Sequence, residues 1–164
     1  MAHDLEAHVV IDRPPAQVWP CVAELELDRR WRQPFVTDLR ADGDPLAVGT
    51  RITGTTRAFG QSDTYTNEIT TVDPPRLLAW RGLDASGGLV GVRGAYELVP
   101  HAGGRTRFGL SMTYEARTVV GRLVAPVMMT FLRRIVAPRF MRQIRELAES
   151  GVPEQHPRPA EVDA

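Results

Sequence analysis

The period of the sequence changes at Ala116, and this change limits the folds that the chain can adopt. Before it, the stretch "RTRFGLSMTYEA" alternates apolar and polar side chains, which is typical of a β-strand with one buried face. After it, apolar residues recur at spacings of three and four, which predicts an amphipathic helix. The apolar stripe of that helix contains Ala125, Met129, Leu132, Val136, Phe140, Ile144 and Leu147. We therefore expect a long C-terminal helix that lies on a sheet and is kinked at Pro138.

The chain before this strand is divided by turn motifs. Between Val36 and Glu115, the stretches "DGDP", "AFGQSD", "VDPPR", "DASGG" and "PHAGG" supply the Gly, Asp and Pro of tight turns, which gives about six antiparallel strands. The N-terminal stretch "HDLEAHVVID" alternates as well and predicts one strand more, with Leu5 and Ile11 facing inward. The stretch between them, "PPAQVWPCVAELELDRRW", predicts two short helices interrupted near Pro20.

Composition excludes several classes of protein. The twenty basic residues are all Arg and balance twenty acids, so no overall field attracts nucleic acid. A single cysteine excludes an internal disulfide framework, and the charged N-terminus lacks the apolar core of a secretion signal, so we expect a cytoplasmic protein. The longest apolar run, 123–132, is about half as long as a transmembrane helix.

Length and composition also predict the domain organisation. A chain of 164 residues with 43% hydrophobic content suits one domain with one substantial core, which we place at residues 1–150. Residues 151–164 are rich in proline and charge and have little to bury, so we expect a disordered, dispensable tail.

Motifs that carry catalysis are not apparent. The stretch "GGLVGVRG" lacks the spacing of a nucleotide-binding loop, and the four histidines have no partner at metal-ligand spacing. Cys21 is interpreted as a packing residue in a helix, and Ser86 lacks the glycine that a nucleophile elbow requires two positions earlier. We therefore predict no cofactor, no metal site and no identifiable catalytic residue.

Two other patterns leave alternatives open. Six arginines between 119 and 149 face only two acids, which indicates either a solvated helix face or a surface for an acidic ligand or membrane. The alternation of the strands turns all three tyrosines, Tyr65, Tyr96 and Tyr114, inward together with Asn67. A polar-spotted apolar interior suits a binding cavity, although core tyrosines with ordinary hydrogen bonds fit as well.

Several short motifs resemble those of one superfamily. They are "IDRPPAQVW" at 11–19, Trp31, "VGT" at 48–50, "VDPPR" at 72–76 and "LAW" at 78–80. With the order of elements, they resemble the SRPBCC superfamily over residues 3–149. That superfamily includes START lipid-transfer domains, plant pathogenesis-related allergens and bacterial polyketide cyclases and dehydrases. These motifs are structural, so they specify the fold better than the function.

The resemblance implies an α+β helix-grip fold. In it, a curved antiparallel seven-stranded sheet wraps around a long C-terminal helix, two short helices lie between strands 1 and 2, and a deep apolar cavity separates sheet and helix. Adjacent Met128 and Met129 would give that cavity an adaptable lining, although methionines that only fill gaps in the core fit as well. The predicted ligand-binding residues are Trp31, Phe35, Tyr65, Asn67, Trp80, Tyr96, Phe108, Met112, Tyr114, Met128, Met129 and Leu132.

Three functions fit this fold. The first is binding or transport of a hydrophobic small molecule, such as a lipid, a polyketide or an aromatic compound, by a monomer or homodimer. The second is a polyketide cyclase or dehydratase that uses the same cavity, and the third is a stress-related module that binds a protein partner. An inward-facing charged group would favour the enzyme, but the predicted register of the sheet offers only neutral polar groups.

Overall fold

The computed structural model describes residues 2–151, so the predicted tail lies, except for Gly151, outside the described residues. Seven strands form one sheet. Their bounds are β1 Ala2–Ile11, β2 Val36–Ala41, β3 Arg51–Ala58, β4 Gln61–Asp73, β5 Leu77–Ala85, β6 Leu89–His101 and β7 Arg105–Ala116. The strand order is β1-β7-β6-β5-β4-β3-β2, and every neighbouring pair is antiparallel. This confirms the predicted seven-stranded helix-grip architecture.

Three short helices lie between β1 and β2, and the first two begin at the prolines that predicted them. Helix α1 spans Pro15–Val18, α2 spans Pro20–Ala23 and α3 spans Leu25–Trp31. The interruption predicted near Pro20 separates α1 from α2, because Pro20 cannot donate a backbone hydrogen bond and begins a new turn. The second predicted helix is divided once more at Glu24, whose backbone is extended, into α2 and α3.

The C-terminal helix has three consecutive parts. Helix α4 spans Val119–Phe131, a π-helical turn spans Leu132–Val136, and α5 spans Ala137–Glu149. Thr118 caps α4 by accepting a hydrogen bond from the backbone N–H of Gly121 at 2.9 Å. Pro138 lies in the first turn of α5, so the irregularity predicted for this proline takes the form of the wider turn before it. No helix within residues 2–151 is both long and apolar enough to cross a bilayer.

The core lies where α3 and α5 meet the concave face of the sheet. Trp31 is 1% exposed and makes edge-on ring contacts with Tyr96, Phe108 and Phe140, with centroids 5.6 to 5.8 Å apart. The predicted inward register of β7 is confirmed, because Phe108 is buried while Arg107 and Glu115 are exposed. The last strand and the helix are therefore arranged as the change of period predicts.

Candidate functional site: a cavity between the sheet and the C-terminal helix

Beyond the aromatic core, the sheet and the C-terminal helix separate and enclose a cavity of about 540 Å³. Strands β3 and β4 supply Thr56, Tyr65 and Asn67 to its wall, and α4 supplies Ala125 and Met128. Apolar side chains dominate the lining, with a small number of polar groups among them. Both the volume and this composition are typical of small-molecule binding sites.

Seven of the twelve predicted ligand-binding residues line this cavity. They are Phe35, Tyr65, Asn67, Met112, Tyr114, Met128 and Leu132. Whether they contact a ligand stays a prediction, but the structure places all seven around the same cavity. The alternation of side chains along the strands therefore indicated which of them point toward the helix.

The other five predicted residues do not line the cavity, and we correct their assignment. Trp31, Trp80, Tyr96 and Phe108 are buried in the main core, where α3 and α5 fill the concave face of the sheet. They have the predicted orientation but lie at the filled end of the sheet. Met129 is 2% exposed and packs in a second small core with Leu5 and Ala137.

The adjacent methionines thus have different environments. Successive residues of an α-helix are about 100° apart around its axis, so Met128 and Met129 cannot both face the same space. Met129 points to the sheet near β1, while Met128 is half-buried at the cavity wall. Only Met128 keeps the predicted role of an adaptable lining residue.

A charged group reaches the cavity from α3. Arg32, at the end of this helix, lines the cavity, and its side chain is 12% exposed. Its Nη2 donates a hydrogen bond to the hydroxyl oxygen of Tyr65 at 3.0 Å and lies 3.4 Å from Oδ2 of Asp28. The Tyr96 hydroxyl donates to Oδ1 of Asp28 at 2.9 Å. Four polar side chains from α3, β4 and β6 therefore form one buried network, which we call the Arg32 cluster.

Burial and the ion pair have opposite effects on the pKa values of Asp28 and Arg32. Burial raises the pKa of Asp28 above its ordinary value, and the Arg32 cation and the Tyr96 hydroxyl only partly oppose that effect. Burial alone would lower the pKa of Arg32, but the Asp28 carboxylate and the two tyrosines outweigh it, so this pKa lies well above its usual value. Arg32 therefore carries a permanent positive charge beside the cavity.

Arg32 has hydrogen-bonding capacity to spare. A guanidinium group has five N–H donors. Within residues 2–151, the Nε of Arg32 is buried and has no hydrogen-bond partner. A buried donor without a partner costs stability. Because the Nε atom is enclosed, an oxygen atom of a molecule bound in the cavity would meet the exposed part of the Arg32 side chain or the Tyr65 hydroxyl instead.

The expectation that only neutral polar groups face inward was wrong. It considered the sheet alone, whereas Asp28 and Arg32 lie on α3 at the i,i+4 spacing of a helical ion pair, a signal that the sequence contains. Asp63 and Arg57 also line the cavity, at its open end. Asp63 shares the parity of Tyr65 and Asn67, so consistent use of the register would have found it.

The cavity opens beside α4. Phe59, Val120 and Val124 line it and are nevertheless 71%, 69% and 44% exposed, which identifies them as its rim. The ring of Phe59 lies 4.8 Å from that of Phe131, so the β3–β4 turn touches the helix at this rim. Gly88 accepts a hydrogen bond from the backbone N–H of Arg117 at 3.3 Å, which holds the β5–β6 loop near the start of α4.

Cys21 lies away from the cavity. Burial, with smaller contributions from Glu24 and Asp28, raises the pKa of its thiol to about 12. A thiol with this pKa is protonated at neutral pH and is a poor nucleophile. The structure therefore supports the interpretation of Cys21 as a packing residue.

The surroundings of Tyr96 and Tyr114 predict different responses to loss of the hydroxyl. The Tyr96 hydroxyl satisfies the buried Asp28 carboxylate, so Tyr96→Phe should lower the free energy of unfolding by about 1 to 3 kcal/mol. The Tyr114 hydroxyl contacts only the Sδ of Met112, at 3.2 Å, among residues 2–151, and a thioether is a weak acceptor. Tyr114→Phe, the matched control, should change stability by less than about 0.5 kcal/mol in urea denaturation. Equal losses would contradict these assignments.

Comparison with known protein families agrees with this geometry. The sequence profile described as "Polyketide cyclase / dehydrase and lipid transport" matches residues 2–150. The chain belongs to this family. The family is part of the SRPBCC superfamily that the sequence motifs indicate. It is associated with binding of hydrophobic molecules or with their cyclisation.

Solved structures show the same fold at low sequence identity. TTHA0849 from Thermus thermophilus superposes with a TM-score of 0.75 at 18% identity, covering 90% of this chain and 98% of the other. The ZhuI aromatase/cyclase from a Streptomyces species gives 0.76 at 16% identity, covering 91% and 94%. A truncated norcoclaurine synthase from Thalictrum flavum gives 0.66 at 15% identity, covering 96% of each chain. A comparison with curated proteins finds no significant match.

Proposed function

We propose that this protein binds a hydrophobic small molecule in the cavity and holds one oxygen atom of that molecule at the Arg32 cluster. The observation that carries the proposal is a permanently charged Arg32, hydrogen-bonded to Tyr65, in the wall of a predominantly apolar space. An apolar lining supplies affinity, and a small number of polar groups fix the orientation of the ligand. Lipids, polyketides and aromatic ketones or phenols all combine these two properties.

Charge balance indicates a neutral oxygen. The Asp28 carboxylate already faces the Arg32 guanidinium at 3.4 Å, so the pair has no net charge when both groups are ionised. An anionic ligand would add an uncompensated negative charge to a poorly solvated site, which is costly. A carbonyl or hydroxyl oxygen can accept a hydrogen bond from Arg32 or Tyr65 without that cost. The proposed ligand is therefore a neutral molecule with a ketone, ester or hydroxyl group.

The adjacent methionines provide a test of cavity binding. Met128→Trp should place a ring in the cavity, weaken saturable binding of Nile red at least about tenfold and leave stability within about 1 kcal/mol of the parent. Met129→Trp, the matched control, overfills a packed core and should cost about 1 to 3 kcal/mol of unfolding free energy without changing the affinity for the probe. Fluorescence titration and urea denaturation give both quantities.

The opposite pattern would remove the basis of the proposal. If Met128→Trp costs as much stability as Met129→Trp and the parent binds no apolar probe, the space between sheet and helix does not accept ligands. The fold would then remain without the proposed function.

A cyclase is the second candidate, and the Arg32 cluster is the observation that favours it. Hydrogen bonds from Arg32 and Tyr65 to a ketone oxygen would polarise that carbonyl for attack by an enolate carbon of the same chain. The carboxylate of Asp63, which accepts a hydrogen bond from the Ser86 hydroxyl at 3.2 Å, is the acid that lines the cavity within residues 2–151. It is the candidate base for forming the enolate.

Incubation with a poly-β-keto thioester separates the two candidates. A carrier returns the thioester with the product distribution of buffer alone, and this is the result that we expect. A cyclase accelerates the formation of one cyclised product, separated by chromatography as an isomer of the same mass or, once the aldol has dehydrated, detected by mass spectrometry as a loss of water, and Arg32→Met abolishes the acceleration. Asp63→Asn would then test whether Asp63 acts as a base. Loss of the acceleration indicates a base, and retained acceleration indicates that the cavity only positions the chain for reaction.

A further inference from the structure

Helix α4 exposes an apolar face that the cavity does not use. Val119, Leu123 and Val127 are 73%, 76% and 69% exposed, and none of them lines the cavity. Their spacing of four places them on one side of the helix, which we call the α4 face. The buried residues of α4, Gly121 and Ala125 among them, point the other way, toward the sheet. Large, contiguous exposed apolar surfaces on soluble folds mark interaction sites.

The α4 face continues into the rim of the cavity. Val120 and Val124 lie beside it on α4, and the exposed Phe59 stands across the opening, at the tip of the β3–β4 turn. Phe59 has a positive φ of 52°, a backbone conformation that is unfavourable for a bulky residue. Whatever covers the α4 face would therefore also meet the opening through which a ligand passes.

The charge around the α4 face indicates which kind of partner surface would bind it. The segment 116–136, which contains α4, has four arginines and no acidic residue, although the chain as a whole is neutral. Arg122 and Arg134 on the C-terminal helix, and Arg57 and Arg117 near the rim, are exposed. Asp63 in the cavity wall and Glu115, which directly precedes this segment, are opposite in charge to these arginines. Asp63 accepts a hydrogen bond from Ser86, and Glu115 is exposed at the end of β7. The excess around the α4 face is positive.

We propose that the α4 face docks on an anionic membrane surface, with the cavity opening turned toward the lipid. A helix with an apolar face and flanking arginines lies in the membrane interface, where the apolar side chains enter the boundary of the acyl chains and the arginines pair with anionic headgroups. A second copy of the chain fits less well, because a two-fold contact through this face would bring the same arginines together. The proposal goes beyond ligand binding, since it concerns where the cavity loads or unloads.

Vesicle co-sedimentation tests the proposal. The parent protein should sediment with vesicles of equal parts phosphatidylcholine and phosphatidylglycerol, and much less with vesicles of phosphatidylcholine alone. Binding to the anionic vesicles should fall as salt is added, because the headgroup attraction is screened. Leu123→Ser and Val127→Ser should each weaken binding several-fold, given the apolar area that each side chain would bury. Arg122→Gln should weaken it about fivefold.

Matched controls lie elsewhere on the surface. Val48 is 66% exposed in the β2–β3 loop and does not line the cavity, so Val48→Ser should leave vesicle binding unchanged. The side chain of Arg40 is 80% exposed on β2, and Arg40→Gln should do the same. Since Leu123 does not line the cavity, Leu123→Ser should bind Nile red in solution as the parent does. Failure of membrane docking is thus distinguishable from failure of ligand binding.

Three outcomes would overturn the proposal. The first is the absence of sedimentation with either vesicle. The second is binding that the α4-face variants and Val48→Ser weaken equally. The third is dimerisation in light scattering that Leu123→Ser abolishes, together with no vesicle binding, which would assign the face to contacts between copies. Binding to anionic vesicles that falls only in the α4-face and Arg122 variants supports it.

Discussion

Asp28→Asn is expected to lower the free energy of unfolding by about 3 to 5 kcal/mol, because it leaves the buried Arg32 guanidinium without its counter-charge. Asparagine has nearly the same shape as aspartate and can still accept the hydrogen bond of Tyr96, so the loss would come from charge rather than from packing. Arginine cannot escape the penalty by releasing its proton. Urea denaturation at neutral pH measures the effect, and a loss below about 1 kcal/mol would contradict a buried ion pair.

Arg32→Met should lower the free energy of unfolding less than Asp28→Asn does, and the size of this effect should depend on pH. In Arg32→Met, Asp28 loses the attraction that opposes burial, so its folded-state pKa rises further above the unfolded value. A raised acid pKa favours the protonated folded state, so stability is retained below the unfolded pKa, about 4, and falls as pH rises toward the folded pKa. The variant should therefore approach the parent in stability near pH 4 and diverge toward neutrality. Asp28→Asn should show no such convergence from this site.

Trp31→Ala is expected to cost about 3 to 5 kcal/mol of unfolding free energy, because it empties the centre of the core. Trp31 contacts three other aromatic rings, and its Nε1–H donates to the backbone oxygen of Cys21 at 2.9 Å. The half-buried Trp19→Ala is the matched control and should cost clearly less. If Trp31→Ala does not fold, Trp31→Phe should still show a loss of about 1 to 3 kcal/mol from the unpaired carbonyl.

Trp31 also supports the Arg32 cluster. It precedes Arg32 in the chain and anchors α3, so a shift of this helix moves the guanidinium relative to the cavity. We therefore expect Trp31→Phe to weaken discrimination between ligands with and without an oxygen more than it weakens apolar binding as such. Equal losses for both kinds of ligand would indicate a general effect on the cavity.

The fold could be predicted well from local patterns. Alternation in β7 and the helical stripe after Ala116 are short-range signals that report directly which face is buried. The approximate number of antiparallel strands followed from turn chemistry, and their arrangement in one curved sheet from the resemblance to the SRPBCC superfamily. These local signals depend on sequence neighbours and on the need to bury apolar surface, so they identify the elements, while the helix-grip arrangement of the elements came from the resemblance.

The extent of the cavity was harder to predict from the sequence than the fold. Phe108 and Met112 lie on the same face of β7, yet Phe108 is in the core and Met112 lines the cavity, because the helices fill only one end of the sheet. Parity predicts the face of a strand but not the position along it at which packing ends. Asp28 and Arg32 were missed for a related reason, since a helical ion pair is usually solvated. Their burial depends on how α3 docks, which is a tertiary property.

The most direct test of the proposed function compares two ligands that differ in one atom group. In 2-acetylnaphthalene a carbonyl oxygen replaces the methylene of 2-isopropenylnaphthalene at nearly constant shape. If Arg32 holds the oxygen, calorimetric titration of the parent should show at least about tenfold tighter binding of the ketone, since a hydrogen bond to a charged group contributes about 1.5 to 3 kcal/mol. In Arg32→Met the preference should vanish while the hydrocarbon binds as before. Equal affinities in the parent, or a ketone preference that survives Arg32→Met, would contradict the account.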